Sequence, residues 1–290
     1  KKRLAPPHQG TKYPVVFIIH GMAAGWELIP PFAPAGTVPG GMPKWVPTIK
    51  TPENYAGYDW LQDYLAGAGR EIVAFSIDMT VANTINSYTE MRAQMLLDAV
   101  QAIRDEAAKP SSPFHDLLDF SNVGLLGHSR GGEAVVHAYQ LNLSKPAGKR
   151  IGIKAICSLA PTDFFGSAAS PPILVGAGDL SYLVVHGGLD GDVNGFRDPS
   201  ALDTGGTGMR IYDRTVADKA VAWIPAAVHD YFNTKWDPTV EWASPPSGAL
   251  VPGDHLTLGK EYIGQFFDMV LNKDAALRSM FDNSKRNSVG

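Results

Sequence analysis

The chain is poor in cysteine, with one residue, Cys157, among 290. No intramolecular disulfide can form, which argues against a small disulfide-stapled scaffold. Cys157 lies in the apolar run Ile156–Leu159 and reads as core packing rather than chemistry. An excess of positive charge is also missing. Lys and Arg number 25 against 29 Asp and Glu, a net charge of −4, so nothing marks a nucleic-acid or anionic-membrane surface. No apolar run approaches the ~20 residues that a membrane span needs. Internal repeats and low-complexity segments are absent as well. The chain opens Lys1-Lys2-Arg3 without a methionine, which reads as a processed or trimmed N-terminus. The compartment stays open, secretion included.

What is present is apolar residue in quantity, 44% against 19% charged, as in a globular protein with a large core. It is arranged as short β-branched runs: Tyr13–His20, Glu71–Asp78, Val123–His128, Ile153–Ala160, Tyr182–His186 and Ala220–Pro225. Near-continuous apolar runs suit parallel strands buried on both faces. Helical periodicity separates them, at 57–66, 131–142 and most clearly at 87–108. In the last of these Ser87 and Glu90 suggest a capping box, and Met91, Met95, Leu96, Ala99, Val100 and Ile103 form an apolar stripe. Leu258, Tyr262, Phe266, Met269 and Val270 recur at helical spacing and should pack on the sheet.

This order predicts one α/β domain over 1–290, with its core at about 13–271. A mostly parallel central sheet carries helices on both faces. Ligands then bind at the carboxyl ends of the strands. Two loops rich in Gly and Pro, 21–56 and 233–256, are long enough to be functional. The 161–181 segment is too short for a separate cap domain.

The strongest motif is Gly127-His128-Ser129-Arg130-Gly131-Gly132, a G-x-S-x-G directly after a strand and before a helix. A sharp turn there exposes the Ser129 hydroxyl, and the helix N-terminus behind it offers amides to an oxyanion. Glu133 reads as a carboxylate favoured by the helix dipole. The first run ends His20-Gly21-Met22, which suits the other half of an oxyanion hole. The two donors would be the backbone amides of Met22 (Ala23 is the alternative) and Arg130, each worth roughly 3–4 kcal/mol in the transition state. His20 reads as structural, bonding the loop backbone.

A serine nucleophile needs an acid and then a base later in the chain. Asp190 is favoured as the acid, ahead of Asp192 and Asp163, because it closely follows the run ending His186-Gly187. His229, just beyond the last run, is preferred to His255 as the base. His128 should point away from Ser129, and His186 reads as a core or loop histidine. A rival reading of Asp190-Gly191-Asp192-Val193-Asn194-Gly195 is a calcium loop, but Ala201 stands where a bidentate Glu is needed. The bland version is that Asp192 and Asn194 shape a turn.

These residues together resemble the α/β-hydrolase superfamily from about Tyr13 to Leu271. The segments Tyr13–Gly21, Tyr58–Leu61, Gly127–Glu133 and His229–Asn233 are similar to the lid-less esterase branch. That branch holds dienelactone hydrolases, platelet-activating-factor acetylhydrolase-like enzymes and cutinase-like esterases. The resemblance implies a triad of Ser129, Asp190 and His229, the Met22 and Arg130 amides as oxyanion hole, and no cofactor or metal. It implies a serine esterase acting on a small-molecule or polymer-linked carboxylic ester, with no nucleic-acid partner. A peptidase or amidase, or a non-catalytic binding protein of the same fold, are the alternatives. The chain departs from the cutinase-like enzymes in having no disulfide, Arg rather than Met after the serine, and a longer 21–56 loop, so a polyester substrate is not carried over. Trp26, Trp45, Trp236 and Trp242 on the long loops could line an aromatic cleft or simply anchor those loops.

Overall fold

A computed structural model describes residues 12–22, 26–28, 45–47, 53–67, 69–80, 82, 89–163, 175–176, 178–193, 209–236 and 245–281. Its strands are β1 (Tyr13–Ile19), β2 (Trp26–Leu28), β3 (Trp45–Pro47), β4 (Val73–Ile77), β5 (Leu118–His128), β6 (Ile153–Leu159), β7 (Ser181–Gly187) and β8 (Asp218–Ile224). Six of them form one sheet in the order β4-β1-β5-β6-β7-β8, every pair parallel. The helices are α1 (Asp59–Leu65), α2 (Thr89–Ala107), α3 (Arg130–Ser144), α4 (Met209–Arg214), α5 (Pro252–Gly259) and α6 (Gln265–Leu271).

Burial on both faces explains why the strands read as apolar runs rather than as alternation. Along β1, Val15, Phe17 and Ile19 join Leu96 and Val100 of α2 and Ala134 and Val135 of α3 in one core. Val16 and Ile18 face the other core, with Leu61 and Leu65 of α1, Leu258 of α5 and Phe267 of α6. Among the described residues, no helix is long and apolar enough to cross a membrane.

The strand order locates the site. From β1 the chain moves outward to β4, then crosses back to place β5 on the other side of β1. The direction of winding therefore reverses between β1 and β5, and in such sheets the carboxyl ends of the strands at the reversal are where ligands bind. Ile19 is paired with Gly127 there, so His20-Gly21 and His128-Ser129 leave the sheet side by side.

Several elements depart from the sequence reading. The 21–56 segment is not all loop: β2 and β3 pair as a small antiparallel ribbon, Trp26 opposite Pro47 and Leu28 opposite Trp45. Strands of three residues are too short to show a period. β5 begins five residues early, because the polar stretch before Val123 pairs with β1 across a register shift at Pro14/Val15. α4 carried no clear pattern. The buried face of α2 is Thr89, Arg92, Ala93, Leu96, Leu97 and Val100, while Met91 and Met95 lie only half-buried. Arg92, a charged residue in the middle of that stripe, is what displaced it in the sequence reading. Ser87 lies outside the described residues. Between α5 and α6, Lys260–Gly264 forms a π-helical turn. The wider turn rotates the apolar face, so Ile263, Phe267 and Leu271 are buried instead of Tyr262 and Met269.

Candidate active site

Ser129 caps α3 with φ 58° and ψ −124°, a left-handed backbone that costs a non-glycine residue free energy. Two hydrogen bonds hold the turn: Ser129 N donates to Leu159 O at 2.9 Å, and Gly132 N donates to Ser129 O at 2.8 Å. A Cβ on Gly127 would run into the Gly131 carbonyl, which is why the turn can close this sharply. Arg130 begins the helix, so its amide stands at the positive end of α3.

The loop after β1 meets this turn directly. A Cβ on Gly21 would lie 2.5 Å from Ser129 Cβ and 3.0 Å from Ser129 Oγ. Only a glycine lets the β1 loop come this close to the hydroxyl. Met22 follows at once and is 45% exposed. The loop is held from behind by His20, whose Nε2 accepts from Met79 N at 2.8 Å and whose Nδ1 bonds Gly21 O at 2.8 Å. Arg92 donates from Nη1 to His20 O at 3.2 Å. Burial, with the Arg130 charge nearby, lowers the Arg92 pKa. Ala23 lies outside the described residues.

The acid and base candidates separate cleanly. His229 Nδ1 lies 2.7 Å from Asp190 Oδ2, with both side chains almost fully buried. Asp190 Oδ1 accepts from the amides of Asp192 (3.0 Å) and Val193 (2.6 Å), so the carboxylate is locked by its own turn. Asp192 approaches the other imidazole nitrogen, with Oδ2 3.5 Å from Nε2. Asp163 is elsewhere engaged: Arg214 grips both its oxygens at 3.0 and 2.8 Å, and Arg210 Nε lies 3.2 Å away.

His255 is bound into the backbone instead. Its Nε2 accepts from Val228 N at 2.9 Å, which leaves Nδ1 to bond Val251 O at 3.1 Å. It therefore steadies the residue next to His229. His255→Ala strands the buried Val228 amide, and a loss of about 1–3 kcal/mol in chemical denaturation is expected. Turnover should fall with it, but less than in His229→Ala.

The His229 loop is also tied to the segment before α1. Trp60 Nε1 donates to Phe232 O at 3.2 Å, Thr234 N to Gly57 O at 3.1 Å, and Asn233 Nδ2 to Asn54 O at 3.1 Å. Two rings, His128 and Trp236, pack against His229. His128 sits with its ring centroid 4.8 Å away, and Trp236 stacks on both, 4.4 Å from His128 and 5.8 Å from His229. His128 Nδ1 bonds the Tyr58 hydroxyl at 3.0 Å. The His128 contacts with these rings leave no sequence signal, since they join residues about a hundred positions apart, whereas Trp236 follows His229 by seven.

Electrostatics divide the histidines. Burial and the nearby His229 push His128 well below the usual imidazole range, and burial lowers His186 and His255. Burial also opposes charge on His229, but the Asp190 carboxylate and its hydrogen bond outweigh it, helped by Asp192 and Asp230. Its pKa is raised to about 9. Among the described histidines, His229 is the one whose surroundings favour the protonated form.

The remaining candidates are structural in geometry. Glu133 is fully buried in the first turn of α3 and accepts from Thr162 Oγ1 at 2.7 Å. His186 bonds Gly187 O at 3.0 Å and stacks on Trp223. Cys157 is buried in the core, and burial raises its pKa, which keeps it a thiol. Asn194, Gly195, Ala201 and Trp242 lie outside the described residues, as do the side chains of Trp26 and Trp45. Among the described residues, no three His, Cys, Asp or Glu side chains are grouped to hold a metal ion. No protein-family model and no curated protein matches the chain.

Proposed function

We propose that the chain is a serine hydrolase of the α/β-hydrolase fold that cleaves carboxylic esters through an acyl-enzyme on Ser129. The observation that carries this reading is the buried Asp190–His229 pair, 2.7 Å apart, at the same carboxyl edge of the sheet as the strained Ser129 turn, with the His229 ring packed on His128 beside it. The close approach of Gly21 to Ser129 Oγ supports it independently.

In this mechanism Ser129 Oγ attacks the ester carbonyl while neutral His229 takes its proton at Nε2. Asp190 holds the proton on Nδ1 and stabilises the imidazolium that forms. The Met22 and Arg130 amides receive the oxyanion. His229 then protonates the leaving alcohol, and water releases the acid by the same steps in reverse. No cofactor is required. The substrate in this reading is a small-molecule or polymer-linked ester.

The test is hydrolysis of p-nitrophenyl esters of rising acyl length, with fluorophosphonate labelling, for wild type and Ser129→Ala. Rapid release and labelling by wild type, with turnover reduced at least about 10³-fold in the variant, is expected. Equal rates in the two proteins and an unlabelled Ser129 would sink the proposal.

A further inference from the structure

His229 has a carboxylate at each ring nitrogen. Asp190 serves Nδ1 from a side chain 2% exposed, and Asp192 lies 3.5 Å from Nε2 with a side chain 62% exposed. The two belong to one turn, since the Asp192 amide donates to Asp190 Oδ1. Only the first is needed to orient the base. The second lies 3.5 Å from the nitrogen that takes the Ser129 proton in this mechanism, an ion-pair contact rather than a hydrogen bond, and its charge there favours the imidazolium. Among the described residues, the carboxylate of Asp192 has no Lys or Arg partner, and His229 is its one charged contact.

The groups facing the imidazole are few. His128 comes from β5 and His186 from β7, both held neutral by burial. Asp190 and Asp192 come from the turn after β7, and Asp230 follows His229 itself. Among the described residues, three carboxylates act on the imidazolium, and the exposed one, Asp192, presents its charge to solvent. A positively charged substrate group meets attraction there. By drawing Asp192 onto itself, such a group also removes the charge that keeps Nε2 protonated.

We propose that Asp192 is a specificity-determining residue: it holds His229 Nε2 in the resting protein and is drawn off by a cationic substrate, so that the site prefers ammonium-bearing esters to neutral ones of the same shape. The proposal rests on the serine-hydrolase reading of the site. A half-exposed ion pair is worth little, so the preference is modest, about fivefold. Removing the Asp192 charge lowers the His229 pKa. Because the base acts in its neutral form, the alkaline rise of kcat/KM then moves to lower pH.

Two measurements test this. The first compares a choline ester with its uncharged 3,3-dimethylbutyl isostere of the same acyl chain, in wild type and Asp192→Asn. Wild type should favour the choline ester about fivefold, with the ratio near one in the variant and its pH limb lower. A ratio that Asp192→Asn leaves unchanged overturns the proposal, however well both esters are cleaved. The second needs no turnover: choline is titrated into Ser129→Ala, with Asp192 intact or replaced by Asn, while the His229 ring resonance and its pH titration are followed by NMR. A choline-dependent shift that requires Asp192 supports the proposal, and identical behaviour of the two proteins overturns it. Absence of ester cleavage with an unlabelled Ser129 defeats the hydrolase reading instead, and the choline titration still decides whether Asp192 binds a cation at His229.

Discussion

Asp190→Asn should lower kcat by about 10⁴-fold while leaving the melting temperature close to that of the wild type. The Asn carbonyl can keep the amide bonds from Asp192 and Val193 that lock the turn, so the fold loses little. What changes is the atom facing His229. An amide nitrogen there donates to Nδ1, the ring proton moves to Nε2, and Nε2 can no longer accept the Ser129 proton. The lost carboxylate also stops stabilising the imidazolium, so the His229 pKa falls. Ester turnover and thermal melts on one preparation check both halves. A drop smaller than about tenfold would remove Asp190 from the mechanism.

Asp163→Ala is expected to do the opposite. Its side chain is 0% exposed and joins Arg210 and Arg214, whose side chains are 6% and 22% exposed. Truncation leaves two guanidinium groups, which do not give up their protons, facing an empty site. Removing one partner of such a buried pair costs about 3–5 kcal/mol. Asp163 leads out of β6 toward Ser129, since the Thr162 amide donates to Ser129 O at 3.3 Å. Even so, no Asp163 oxygen is left to serve a histidine, so turnover per folded molecule should stay within a few-fold of wild type. Urea unfolding and active-site titration separate the two quantities. An unchanged unfolding midpoint with collapsed kcat would make Asp163 the acid.

The contrast between these two aspartates shows where reading the chain in order runs out. Both follow a strand end, and spacing ranks them without deciding between them. Asp163 is occupied by arginines 47 and 51 positions away, on a helix that carried no clear pattern of its own. Asp190 meets a histidine 39 positions away. His229 and His255 differ for the same reason: one faces a carboxylate, and the other faces the Val228 amide.

Local physics was legible along the chain. Continuous apolar runs revealed strands buried on two faces, and the glycines around Ser129 revealed a turn too tight for a Cβ, because both depend on neighbours a few residues apart. Long-range contacts were not legible. The face of α2 turned because Arg92 reaches the His20 carbonyl, and the last helix rotated at a π turn that leaves no mark on residue type. The stack of His128 and Trp236 on His229 joins the end of β5 to the segment after β8. The chain alone therefore determined the six strands of the main sheet, the longer helices and the serine turn. Tertiary structure paired Asp190 with His229, brought a second carboxylate to that histidine, and supplied the rings behind it, because those choices depend on which side chains the sheet brings within a few ångströms.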